Sequence, residues 1–235
     1  MGDPAGVGPA ITAAAWEALK DDSSLAFYVI GAPDLYSQHC PVQEISSPEE
    51  AAAAFGSALP VFPVGNLPEI APGKPDAAAA PAIISAIETG VAHVRAGKAA
   101  GLVTNPINKA LLYETGFRHP GHTEFIAELC RPDGAAALRP VMMLTGGGLR
   151  VALATIHQSL ASVPGSLTRD SLVELGTIVH AALKTDFGIP SPRIAFSGLN
   201  PHAGEGGALG REEIEIINPA AETLRSRNID ISDAR

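Results

Sequence analysis

The sequence predicts an α/β fold with a largely parallel sheet and at least one antiparallel hairpin. Strand-like and helix-like segments alternate along the chain. The apolar runs that read as strands are continuous rather than alternating, as in strands covered on both faces. Polar residues able to bind ligands follow those runs, at the strand ends where open α/β sheets hold their ligands.

The elements are justified in chain order. Residues 1–9, Met-Gly-Asp-Pro-Ala-Gly-Val-Gly-Pro, form a tight loop that opens a helix over 11–19, with Ile11, Ala15 and Leu19 on one side. Residues 25–31 read as a buried strand, 33–36 as a short helix and 42–45 as a strand. Residues 61–64 make a short strand between prolines, and the proline-rich stretch 65–75 is irregular. A long helix over 77–96, with Ile83, Ile84, Ile87 and Val91 on its apolar side, marks a division into two subdomains.

Residues 101–103 read as a strand, followed by Thr-Asn-Pro-Ile-Asn-Lys and a helix from 111 to about Gly116. Thr123 is placed to cap a helix over 125–130. Residues 141–144 and 150–156 form a hairpin across Thr145-Gly-Gly-Gly, with His157 at its end. Thr168 caps a long helix over 169–185. Residues 193–196 are a buried strand, and 212–224 a helix. Between those last two lies Gly-Leu-Asn-Pro-His-Ala-Gly-Glu-Gly-Gly-Ala-Leu-Gly, 198–210. Glycine is costly to order, so a loop this rich in it suits close backbone approach to a ligand better than mere connection.

Composition narrows the function classes. The 235 residues are 46% hydrophobic, enough for a sizeable core. Net charge is −9, and no basic cluster offers a footprint for nucleic acid. No stretch reads as long and apolar enough to span a bilayer, and no signal peptide is visible. Cys40 and Cys130 match no metal or redox spacing and read as buried, reduced thiols of a cytoplasmic protein.

Four polar loops are expected to converge at one sheet edge: 104–109, 119–124, His157 and 200–205. Together they supply histidines, a lysine, a threonine, an asparagine and a glutamate, the composition of a metal-plus-anion site. His157 and His202 are the metal candidates, because imidazole suits first-row divalent ions. Their plain alternative is a hydrogen-bonded structural histidine at a strand end. Lys109 can pair with a phosphate or move a proton, or simply be a solvated helix-start lysine. His122 and Thr123 can donate to a phosphate at a helix N-terminus, or only cap that helix.

Taken together, Gly-Asp-Pro-Ala-Gly-Val-Gly-Pro (2–9), Thr-Asn-Pro-Ile-Asn-Lys (104–109), Gly-His-Thr-Glu (121–124), His157 with Val163-Pro164, and Gly-Leu-Asn-Pro-His-Ala-Gly-Glu-Gly-Gly (198–207) carry a resemblance. Over essentially its whole length the chain resembles the 4-hydroxythreonine-4-phosphate dehydrogenase family of pyridoxal phosphate biosynthesis. The resemblance implies a three-layer α/β/α fold like that of isocitrate and isopropylmalate dehydrogenases, with two subdomains around a cleft and a homodimer. It implies NAD or NADP as hydride acceptor and a divalent metal (zinc, magnesium or cobalt) held by three histidines. Two of those match His157 and His202; the substrate-binding histidine and threonine match His122 and Thr123. Lys109 is the candidate catalytic base, and no residues are assigned to the nicotinamide cofactor. The third metal histidine belongs to a His-Asp-Gln motif downstream of Arg235, and a strand precedes the Gly-Asp-Pro loop. The expectation is therefore a chain truncated at both ends, with two of three protein metal ligands. Two alternatives share these motifs: a dehydrogenase of a related 4-phosphorylated hydroxy acid, such as threonate or erythronate phosphate, and a non-catalytic phosphate-binding homologue.

Overall fold

The computed structural model describes residues 1–235 and divides into two compact units, Met1–Pro140 and Val141–Arg235. Each is α/β in its own right. The long helix expected to separate two subdomains instead lies inside the first unit.

The first unit opens with α1 (Gly8–Leu19), which starts on the Gly-Pro pair and buries Ala13 and Trp16. The Trp16 indole donates to the Phe55 carbonyl at 2.8 Å, so the largest core side chain is also satisfied. Then follow β1 (Val29–Gly31), α2 (Asp34–Ser37), β2 (Val42–Glu44), α3 (Ala51–Phe55) and β3 (Leu59–Pro63). β3 is central and parallel to both neighbours, with Val29 opposite Val61 and Val42 opposite Leu59. β1 is shorter than the apolar run predicts, because Leu25 points half into solvent and only Val29, Ile30 and Gly31 are covered.

The side chain of Asp76 caps the turn that leads into α4 (Ala80–Arg95). Ile83, Ile87 and Val91 of α4 join Leu112 and Phe125 in one core cluster. The span Ala77–Arg95 is long and apolar enough to cross a membrane by length and composition, contrary to the expectation that no stretch would be. Its apolarity is spent on protein: Ala80, Ile83, Ala86, Ile87, Gly90 and Val91 are buried in the unit's core. The predicted strand over 101–103 does not form. Leu102 packs over Gly90 but is only partly buried, and Val103 is 96% exposed; three residues with no buried side chain do not hold a strand in a sheet. The unit ends with α5 (Lys109–Glu114) and α6 (His122–Cys130). Cys40 and Cys130 are free thiols, only partly buried rather than buried.

The second unit begins with a hairpin of β4 (Met143–Gly146) and β5 (Leu149–Ala152). Its two-residue turn, Gly147-Gly148, has positive φ at both positions, which glycine alone adopts without cost. A short α7 (Val163–Ser166) leads to α8 (Arg169–Thr185). Thr168 caps its start, as the sequence predicts, and Ser171 closes the cap reciprocally. β6 (Arg193–Ala195), a π-helical turn (Glu213–Ile217), α9 (Asn218–Ser226) and β7 (Asp230–Ser232) complete the unit. β6 and β7 pair in parallel, with Ile194 opposite Ile231. α8 and α9 pack at Gly176, where a β-carbon would stand 2.5 Å from Leu224. The predicted helix over 212–224 thus arrives in two pieces, a π turn and then an α-helix that starts at Asn218-Pro219.

Candidate functional site

In the first unit, three of the predicted residues come together around the start of α6. The helix begins at His122, earlier than predicted, so Thr123 lies in its first turn and Gly121 takes the capping position. No side chain caps this end, which leaves first-turn N–H groups directed outward to receive an anion. His122 and Thr123 line an open pocket of about 400 Å³ together with Leu102, Thr104, Ile126 and Arg139.

Lys109, the first residue of α5, reaches across to this helix. Its Nζ lies 3.2 Å, and its Cε 3.4 Å, from where a β-carbon on Gly121 would stand; Glu124 Oε2 is 3.5 Å from the same point. Gly121 is extended, so its role is space rather than an unusual φ. Burial, and then the charge of Lys109, hold the His122 imidazole below the usual histidine range. A neutral imidazole, an ammonium and free helix N–H groups form an arrangement that favours a phosphate. The loop that delivers Lys109 is pinned at Asn105, whose amide donates to the Thr12 hydroxyl at 2.9 Å, and at Pro106, whose carbonyl accepts from Asp3 N–H at 2.9 Å.

The second unit carries both metal candidates. His157 is not at a strand end: β5 stops at Ala152, and His157 sits in the following loop, exposed, with φ +53°. A positive φ on a residue with a side chain is uncommon and costs free energy. His202 also lies beyond its strand, in the glycine-rich loop. Its Nδ1 is 2.8 Å from Glu205 Oε1, with both side chains more than half exposed. That contact turns Nε2 outward as the free ring nitrogen, the arrangement in which a carboxylate orients a metal-binding histidine. His202 thus offers one ring nitrogen, Nε2, to a ligand. Within either unit, no three His, Cys, Asp or Glu side chains gather into a metal-holding cluster.

The glycine-rich loop folds tightly on itself. Asn200 Oδ1 accepts from His202 N–H at 2.9 Å, and the Asn200 carbonyl accepts from Ala203 N–H at 3.0 Å. From Ala203 to Gly207 every φ is positive, including those of Ala203 and Glu205, which have side chains. The loop is thus an ordered, strained turn rather than a slack linker.

Comparison with known proteins now decides the family. The model of the pyridoxal phosphate biosynthetic protein PdxA matches residues 21–234. The chain belongs to the PdxA family. A 4-hydroxythreonine-4-phosphate dehydrogenase from Caulobacter vibrioides is 49% identical over 235 residues, covering 98% of this PdxA-family chain and 70% of the relative. One from Bradyrhizobium diazoefficiens is 47% identical over 244 residues, with the same coverage. The crystal structure of a 4-hydroxythreonine-4-phosphate dehydrogenase from Burkholderia phymatum superposes with a TM-score of 0.84 at 30% identity, over 99% of this chain and 71% of that one. The enzyme of that name from Klebsiella pneumoniae gives 0.82 at 28% identity, over 100% and 73%. The α/β fold expected from the sequence is therefore the fold of these dehydrogenases.

Sequence reasoning overlooked two side chains of this PdxA-family chain. Arg139 lines the His122 pocket, and an isolated Arg-Pro pair ahead of a strand carried no motif to flag it. Glu213 is a buried charged residue, 4% exposed, beneath the glycine-rich loop. In a run of Arg-Glu-Glu-Ile-Glu it reads as one more solvated helix charge.

Proposed function

We propose that this PdxA-family chain oxidises 4-hydroxythreonine-4-phosphate at its C3 hydroxyl, with NAD or NADP as acceptor, and that the resulting β-keto acid loses CO2 to give 3-amino-2-oxopropyl phosphate. The observation that carries the reading is the pocket at α6, where His122, Thr123 and the neighbouring Lys109 surround an uncapped helix start. The curated relatives' shared name supports the choice of substrate and reaction class.

The chain's own residues supply the following steps. His122, Thr123 and the first-turn N–H groups of α6 bind the substrate phosphate, which sits on C4, next to the reacting C3. Anchoring that end converts phosphate binding into orientation of the C3–H and C3–OH bonds. Lys109, as the ammonium, pairs with the anchored phosphate; once it has given up its proton, the neutral amine takes the hydroxyl proton, directly or through a water, as the hydride leaves C3. His157 and His202 are the groups that would hold a divalent ion, with Glu205 orienting the His202 ring. When bound, the ion supplies Lewis-acid stabilisation of charge on substrate oxygen, and the nicotinamide supplies the hydride acceptor. The reading includes a homodimer and a cytoplasmic setting, with which the free thiols Cys40 and Cys130 accord.

The test is nicotinamide reduction followed by its absorbance, with 4-hydroxythreonine-4-phosphate set against threonate and erythronate phosphates. Metal-dependent turnover of the amino substrate is expected, His202→Ala abolishing it and His122→Gln raising KM. Turnover of only the non-amino acids, or activity indifferent to both substitutions, would overturn the proposal.

A further inference from the structure

We infer that Glu213 is a positioning residue: from beneath the glycine-rich loop it fixes the segment that presents His202. The inference rests on the reading of His202 as a metal ligand, and its geometry stands apart from that reading.

Glu213 is 4% exposed, a charged side chain inside a core where unpaired carboxylates are costly. Its Oε1 accepts from Leu199 N–H at 2.8 Å, at the start of the loop. Its Oε2 is buried with no hydrogen-bond partner. That oxygen stands 2.8 Å from where a β-carbon on Gly204 would lie, and the Gly210 carbonyl is equally close to the same point. One carboxylate thus grips residue 199 and packs under residue 204, and His202 lies between them. Gly204 is itself buried at φ +73°, so neither its conformation nor its surroundings admit a side chain.

The backbone around Glu213 is unusual as well. Glu213 opens a π-helical turn, a distortion that is rare and recurs at functional sites. A regular α-turn there would rotate the side chain relative to the loop. A carboxylate retained in the core with one oxygen unpaired is a poor way to gain stability, since a buried group of this kind destabilises unless fully satisfied. Its placement makes sense as the strut of a strained loop: five consecutive residues with positive φ, Ala203 to Gly207, persist only where the surroundings over-determine them.

The experiment uses the full 235-residue chain as wild type, Glu213→Ala, Glu213→Gln, Gly204→Ala and His202→Ala. Two quantities are measured: hydrogen exchange of the amides of 200–207, and zinc affinity by calorimetry with zinc chloride alone. Glu213→Ala is expected to speed exchange selectively in 200–207 and to weaken zinc binding about 10–100-fold, as loss of a group that orients a metal ligand does. Glu213→Gln keeps the acceptor for Leu199 N–H and stays near wild type in both. Gly204→Ala, strained at φ +73° and pressed on the Gly210 carbonyl as well as on Oε2, loosens the loop whatever Glu213 does and calibrates the exchange of a freed loop. If Glu213→Ala does not fold, Glu213→Asp, whose carboxylate is too short to reach Leu199 N–H, is measured in its place with the same expectation. Wild-type exchange across 200–207 in Glu213→Ala, or in Glu213→Asp where it stands in, overturns the inference, as does faster exchange spread evenly over the second unit. If His202→Ala leaves zinc binding untouched, the metal reading fails instead, and loop exchange still tests the strut.

Discussion

The ammonium of Lys109 stands over Gly121, 3.2 Å from where that residue's β-carbon would be. The relationship ties two loops of the first unit, 104–109 and 119–124, that are separate motifs in the sequence. Gly121 is extended, so alanine fits its backbone without strain. The added methyl must push the flexible end of Lys109 aside by a few tenths of an ångström or more. Gly121→Ala is therefore expected to leave the thermal midpoint nearly unchanged and to weaken binding of the phosphorylated substrate by about three- to tenfold. Calorimetry with substrate, beside a thermal melt, checks both halves.

His122 makes the second prediction. Burial is the larger cause of its lowered pKa and the Lys109 charge the next, so removing the charge lifts only part of the shift. In Lys109→Met the His122 titration midpoint, followed by imidazole NMR, is expected to rise while staying below 6.5, its ordinary value. The stability consequence follows in sign. A folded state that holds the proton less tightly than the unfolded chain loses stability as pH falls through about 6.5 and on through the folded value. His122→Gln is expected to flatten that acid-side decline in denaturant midpoints between pH 7 and 5. His93, whose pKa is also lowered chiefly by burial, keeps part of the slope in both proteins.

What was legible in the sequence had a local cause. The cap at Thr168 and the helix over 169–185 each follow from a few adjacent residues and formed as predicted; the predicted hairpin formed too, but its strands reach Gly146 and start again at Leu149, so the turn narrows to Gly147-Gly148. The failures lie where tertiary context decides. Residues 101–103 look like a strand, yet Val103 finds no neighbour to bury it. Helix 212–224 was expected to be regular, but its first turn widens around Glu213, which serves a loop rather than the helix. The site motifs were visible because glycine, histidine and asparagine are conspicuous in short loops. Arg139 and Glu213 were not, because nothing adjacent in sequence marks an arginine that lines a pocket or a glutamate that is buried.

Gly176 carries the third prediction. A β-carbon there would sit 2.5 Å from Leu224 Cδ1 and 3.1 Å from Cδ2, and Leu224 is fully buried. Alanine favours a helix interior by about 1 kcal/mol over glycine, and overpacking a tight core costs about 1–3 kcal/mol. The clash outweighs the propensity, because Leu224 is enclosed by α8, α9 and β7 and has little room to turn. Gly176→Ala is expected to destabilise the second unit by about 1 kcal/mol or more net in urea unfolding. A variant as stable as wild type would mean that α8 and α9 are free to separate.

The start of α8 gives a prediction that depends on no ligand. The Thr168 hydroxyl accepts from Ser171 N–H at 3.1 Å, and the Ser171 hydroxyl lies 3.4 Å from Thr168 N–H, a reciprocal cap on the longest helix of the chain. Thr168→Ala removes one partner and is expected to cost about 1 kcal/mol, whereas Thr168→Ser keeps the oxygen and costs a few tenths. Because α8 supplies Leu172, Leu175, Val179 and Leu183 to the second unit's core, fraying at its first turn spreads to the packing against α9. The loss should therefore appear in the urea midpoint and not only as faster exchange at the first-turn amides. An effect confined to those amides would show that the helix is held by its apolar face alone.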